Sequence, residues 1–138
     1  VTEQPIDLMT ALAGFDELWS PRIAARVNDY DVRVAKVAGE HVWHAHARTD
    51  EFFLVLDGVF HIALRETGDA PEREVVLRRG EIFVVPAGTE HRPSAPDGAA
   101  ILMFEPSGTS TVGERHDPVP THVDVTTGHP LFPAKDTV

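Results

Sequence analysis

Cysteine is absent from the 138-residue chain, and that absence excludes disulfide staples and thiolate metal sites together. A metal, if bound, must be held by nitrogen and oxygen, and the redox compartment cannot be read from cysteine pairing. Cations are also scarce: Lys and Arg number 12 against 22 Asp and Glu, a formal net charge of −10. Such an acidic surface repels phosphate backbones and anionic lipid, so neither nucleic acid nor a membrane surface is expected as a partner. No apolar run approaches the ~20 residues of a membrane span. The opening Val-Thr-Glu-Gln-Pro lacks the basic start and apolar stretch of a secretory signal, which makes the cytoplasm the expected compartment. Gly108-Thr-Ser-Thr has the glycine and hydroxyls of a phosphate loop but not its lysine, and a polar turn suffices there. No serine elbow is present either, so covalent catalysis is disfavoured.

What the chain does have is His44-Ala-His46-Ala-Arg-Thr-Asp-Glu51. Residues two apart on a strand share a face, so His44 and His46 can aim two imidazoles at one point. Glu51 has the opposite parity on a straight strand. The polar run Ala47–Asp50 can turn the chain, which leaves Glu51 at the mouth of a returning strand, Phe52–Leu56. Forty residues on, His91 follows the turn-forming Pro86-Ala-Gly88. Imidazoles and a carboxylate suit a borderline divalent metal such as Fe, Mn, Zn, Ni or Co, without choosing among them. An H-x-H pair alone fits two solvent-facing histidines as well. Glu51 and the apolar run behind it favour the metal.

Around these residues the spacing predicts one small all-β domain. Residues 1–21 form a short helix or irregular arm whose Leu8, Leu12, Phe15, Leu18 and Trp19 cover one end. Period-two segments follow at Ile23–Val27, Tyr30–Val37, Val59–Arg65, Glu74–Leu77, Ile82–Val85, His91–Ser94 and Ala100–Phe104. Asn28-Asp29, Asp57-Gly58, Arg79-Gly80 and Pro96-Asp-Gly98 punctuate them, the pattern of an antiparallel barrel or sandwich over 22–105. Prolines scattered through 106–138 forbid a regular helix or central strand and predict an extended tail over the barrel or a partner subunit.

Taken together, Gly39, His44, His46, Glu51 and Gly58, then Gly80, Pro86, Gly88 and His91, resemble the two motifs of the cupin superfamily. One residue fewer than usual separates Gly39 from His44, and Ala95 stands where an asparagine often closes the second motif. Trp43-His-x-His, Asp50-Glu51 and Glu105-Pro106 look more closely like small single-domain bacterial cupins, many of them loosely labelled mannose-6-phosphate-isomerase-like. The resemblance implies a jelly-roll barrel, a double-stranded β-helix, with one divalent metal on His44, His46, Glu51 and His91. Open positions beside that metal would admit a small anionic or carbonyl-containing molecule for dioxygenase, isomerase or lyase chemistry. Phe53, Val55 and Phe83 would wall the site, and homodimers would form through barrel edges.

The rival readings are a barrel that binds ligand or metal without turnover, and a metal-free epimerase-like barrel working through a His–Asp pair. No residue is assigned a catalytic role, and no general base is evident beyond Glu51. Glu40, Arg33 and Arg92 are candidates for a pocket mouth. His41, His61, His116, His122 and His129 are expected at the surface or as satisfied core groups.

Overall fold

The computed structural model describes residues 4–65 and 71–131. These residues form one short helix and nine strands, paired antiparallel except for a single parallel pairing at one edge. Helix α1 (Leu8–Leu12) starts at Asp7, whose Oδ1 accepts from the Met9 and Thr10 amides, and it buries Leu12. Strands β1 (Arg22–Val27) and β2 (Tyr30–Glu40) form a hairpin through Asn28, which takes the positive φ of 54° that the tight turn needs. β3 (His44–Ala45) is only two residues long. β4 (Glu51–Arg65), β5 (Arg73–Arg78), β6 (Ile82–Val85) and β7 (Glu90–Pro106) follow, and the tail adds β8 (Arg115–His116) and β9 (His129–Pro130).

The domain is organised by β4 and β7. Each is continuous where the turn dipeptides predicted a break: Asp57-Gly58 and Asp97-Gly98 are bends within strands and not the ends of hairpins. The two bends oppose one another, Gly58 against Ala99, with register shifts on both sides. A Cβ on Gly58 would collide with the Gly98 carbonyl, so glycine is what lets the bends close together. The consequence is a ribbon folded back on itself. His91 pairs with Leu64 at one end of β4, yet its ring reaches Glu51 at the other end, 3.3 Å away. Thirteen residues of straight strand would separate those ends by roughly 40 Å. Doubling over removes that distance and closes the jelly roll.

Between the two halves lies the core. Phe53, Val55, Phe60, Ile62, Leu64, Val85 and Ile101 are all at most 2% exposed, alternating with outward neighbours as a sheet with one buried face requires. Each such side chain contributes about 1.5–3 kcal/mol by leaving water. The tail crosses the barrel with Val112 and Val123 buried in the same cluster. Trp19, from the N-terminal arm, closes the cluster from another side, and its indole donates to the Ala38 carbonyl at 2.7 Å. No helix among the described residues is long and apolar enough to cross a membrane.

Candidate metal centre

His44 and His46 project from a segment with almost no strand of its own, held from both sides. On one side His44 pairs with His91 of β7; on the other it pairs with His116 of β8. The tail also binds beyond β8: the Glu114 amide donates to Ala45, the Asp117 amide to Trp43, and the Glu114 carboxylate accepts from the Ala47 amide. A Cβ at Gly113 (φ 63°) would overlap the Ala45 carbonyl, so the tail seats directly on the ligand strand. The Pro86–Gly88 turn locks the far end, where the Gly88 amide donates to the His46 carbonyl at 2.7 Å and the Ala87 amide to Asp50 at 2.9 Å.

The sequence expectation brought four residues together, and the structure does the same. His44, His46, Glu51 and His91 are buried, and one donor atom from each lies within 4.8 Å of every other. His46 Nε2 faces Glu51 as an ion pair, and His91 Nε2 lies 3.3 Å from Glu51 Oε1. The ring orientations fit a metal. His44 Nδ1 lies 2.8 Å from the Val42 carbonyl and His91 Nδ1 lies 3.0 Å from the Thr89 carbonyl. A carbonyl can only accept, so both Nδ1 atoms carry protons and both Nε2 atoms are turned inward, the orientation that metal-ligating imidazoles need. His44 Nε2 and His46 Nδ1 are buried without a hydrogen-bond partner among the described residues. An unpaired buried polar atom is costly, and a cation in the group would relieve the one at His44 Nε2.

Electrostatics prepares the same group. Burial, with His91 nearby, holds His44 well below the ordinary histidine range, so it is neutral and ready to ligate. Burial disfavours charge on His46 too, but the field and hydrogen bond of Glu51 outweigh it and raise that pKa. Burial likewise opposes the Glu51 carboxylate; His46 and then His91 overcome it and keep the acid ionised.

His41, expected at the surface or as a satisfied core group, is the latter: it is buried in the cavity wall with Nδ1 facing the Val42 carbonyl and its ring 4.9 Å from that of His44. Burial lowers its pKa to about 4. Arg33, expected at a pocket mouth, is completely buried: Nε and Nη2 donate to Asp31, and Nη1 donates to Glu105 and to the Thr109 carbonyl. Glu105 was not picked out as a functional residue. It lies 4% exposed and lines the cavity with Glu51, Phe53 and Trp19. Burial and then the Glu51 charge push its carboxyl up to about 8. Its parity with the inward Ile101 and Met103 was the available signal.

The remaining candidates lie away from the centre. Arg92 and Glu40 pair loosely at 3.8 Å, with the Arg92 guanidinium over Trp43. His61 bonds Glu74, His122 donates to the Glu40 carbonyl, His129 bonds Asp124, and His116 is exposed. Of the predicted wall, Phe53 lines the cavity, whereas Val55 is core and Phe83 is half-buried against it. The cavity measures about 30 Å³, room for about two waters.

Comparison with known proteins agrees with this architecture. A cupin-domain family profile matches residues 30–117. The uncharacterized protein YdbB of Bacillus subtilis is 38% identical over 88 residues, 64% of this chain and 74% of its own length. The 3-hydroxyanthranilate 3,4-dioxygenase of Brucella anthropi is 33% identical over 87 residues, and the match spans only 45% of that enzyme. A cupin-2 domain protein from Shewanella frigidimarina superposes with a TM-score of 0.68 at 40% identity, covering 73% of this chain and 93% of that one. Hydroquinone 1,2-dioxygenase from Sphingomonas sp. TTNP3 shares the fold alone, with a TM-score of 0.65 at 21% identity over 75% of this chain and 32% of that one. With both motifs, the doubled ribbon and the family match in agreement, the chain belongs to the cupin domain family.

Proposed function

We propose that this cupin is a metal-dependent enzyme holding one divalent ion on His44, His46, Glu51 and His91, and acting on a small anionic or carbonyl-containing molecule. One observation carries the reading: four buried donor atoms within 4.8 Å of one another, with the Nε2 atoms of His44 and His91 turned inward by backbone carbonyls. Three neutral imidazoles and one carboxylate leave net positive charge on a divalent ion, which favours an anionic oxygen ligand.

Bound there, the ion would supply Lewis acidity, or oxygen activation if it is iron. The protein's share is orientation and exclusion. Val42 and Thr89 fix the two rings, while Trp19, Phe53, Phe60 and Met103 give the cavity apolar walls. Among the candidate chemistries, dioxygenation is supported by the likeness to 3-hydroxyanthranilate 3,4-dioxygenase. The test is oxygen uptake by iron-reconstituted protein offered hydroxylated aromatic acids and hydroquinones. Uptake that Glu51→Ala abolishes supports dioxygenation. Metal binding without uptake redirects the reading to isomerase or lyase substrates.

A second reading, ligand or metal binding without turnover, has one observation in its favour: the cavity of about 30 Å³ is too small for such substrates unless the protein opens. Homodimer formation is part of the proposal. Phe52, Leu54, Leu102 and Phe104 continue across the register into the exposed Ile82 and Val84, an apolar outer face that suits a second copy. A monomer by size-exclusion with light scattering would remove that part.

A further inference from the structure

The cavity beside the metal group is walled mostly by barrel strands, which their ladders hold in place. Two parts of the wall come from outside the barrel: Trp19 with Pro21 from the N-terminal arm, and Thr111 from the tail. The tail is tied down there. Thr111 exchanges hydrogen bonds with Asp124 and Thr126, Val112 beside it is buried, and the Glu114 amide donates to Ala45. The arm is held more lightly. Between its buried anchors Leu12 and Trp19, residues 13, 14 and 16–18 are exposed. It is fastened by the Trp19 amide on the Lys36 carbonyl at 2.9 Å, the indole on the Ala38 carbonyl at 2.7 Å, and Lys36 Nζ on the Phe15 carbonyl. Phe15 lies under Arg22 and Lys36, and the Glu17–Arg22 ion pair is at the surface, where such pairs contribute little.

Trp19 also has a backbone φ of 54°. Among the described residues other than glycine, only Asn28 shares that region, and there the hairpin turn accounts for it. No hairpin surrounds Trp19. A bulky residue is held there against its own preference, and the strain is released when the segment lifts. The indole is the outer member of a row of rings: it lies 5.1 Å from His41, which lies 4.9 Å from His44. While it stays in the wall, the cavity of about 30 Å³ takes about two waters.

We propose that the arm around Trp19 is the gate of this cavity. Residues 13–19 lift as a flap between Leu12 and Ser20, the indole leaves the wall, and molecules larger than water reach His44 and its neighbours through the gap. The inference rests on the reading of this cavity as the ligand site, and it does not require a metal to be bound.

The chain has no cysteine, so full-length protein carrying Leu18→Cys with Lys36→Cys has one possible disulfide. These two residues face each other in an isolated parallel bridge, about 5 Å apart at Cα and within reach of a disulfide. The probe is diethyl pyrocarbonate, which acylates unprotonated imidazole nitrogen, with the reacting residue identified by peptide mass spectrometry. His44 Nε2 is buried and unbonded among the described residues, so its reaction reports opening, and the exposed His116 is the control. In metal-free protein His44 should react at least about tenfold more slowly with the disulfide closed than with it reduced, while His116 reacts equally in both. Equal rates at His44 would overturn the gate and move the entry elsewhere, as to the groove of Trp43, Arg115 and His116 that also touches His44. No reaction at His44 in the reduced protein would overturn it too. If the cysteine pair fails to fold or to close, wild type decides: the Trp19 indole N–H should exchange in heavy water at least roughly 100-fold faster than the slowest β4 amides. Exchange at the rate of those amides would overturn the gate. Zinc content of the same wild-type protein is measured separately, so the gate and the metal reading stand or fall independently.

Discussion

His44 and His91 stand directly opposite one another in the β3–β7 ladder, with ring centroids 4.2 Å apart. Forty-seven positions of chain separate them, and β4 has to double over before they can share an enclosure with Glu51. The metal group is thus a product of the whole barrel, with no ligand pair assembled by local structure except His44 and His46.

Ligand truncation tests that dependence. His44→Ala and His91→Ala should each lower zinc affinity by more than the roughly 10–100-fold typical of losing an outer hydrogen-bond partner. Both should remain folded, because neither ring belongs to the apolar core cluster. Competition with a chromogenic chelator measures the affinity; variants that retain wild-type affinity would displace these residues from the ligand set.

Acid should destabilise the metal-free protein through His41. Its folded-state pKa of about 4 lies below the unfolded 6.5, so the unfolded chain binds the extra proton first. Stability from this group is complete above pH 6.5 and is lost as the pH falls toward 4, by about 3 kcal/mol in all. The lowered pKa of His44 adds a loss of the same sign. His46, whose pKa is raised, works in the opposite direction. Urea denaturation between pH 7 and pH 4 should therefore show a smaller decline for His41→Phe than for wild type.

The buried ion cluster gives a larger effect. Arg33→Met leaves Asp31 and Glu105 enclosed without their shared cation, which should cost about 3–5 kcal/mol. Adding Glu105→Met to that variant should recover part of the loss, since one stranded carboxyl is removed. Equilibrium unfolding of the two single variants and the double variant measures the coupling directly.

Gly113 ties the tail to the ligand strand. Gly113→Ala combines an unfavourable positive φ with a collision against the Ala45 carbonyl, so it should cost at least about 2 kcal/mol. It should also weaken metal retention, because the displaced backbone carries His44 and His46. Thermal melting with and without zinc separates the two effects: stability lost without any change in the zinc-induced shift would confine Gly113 to folding.

Much of the centre was legible because its signals are local. The two-residue spacing of His44 and His46, the turn before Glu51 and the Pro86–Gly88 turn before His91 all announce themselves within a few positions. The continuity of β4 and β7 does not. Asp57-Gly58 and Asp97-Gly98 look like hairpin turns, and only their mutual contact, Gly58 against Ala99, shows that they are opposed bends. Arg33 was assigned to a rim because a charge argues for solvent. Its inward parity with Ala35 and Val37 argued the other way, and Asp31 with Glu105 makes that burial possible. His41 sits where the chain leaves β2 irregularly, so strand parity could not place it. Between the predicted strands Val59–Arg65 and Glu74–Leu77, residues 66–70 lie outside the described residues, as does the tail beyond Leu131.

The most direct measurement is metal content by mass spectrometry on untagged protein, wild type beside His46→Ala and Glu51→Ala. The account predicts about one divalent ion per wild-type chain, lost in both variants. A wild-type protein that holds no metal, even after reconstitution with iron, manganese, zinc, nickel and cobalt, would contradict it.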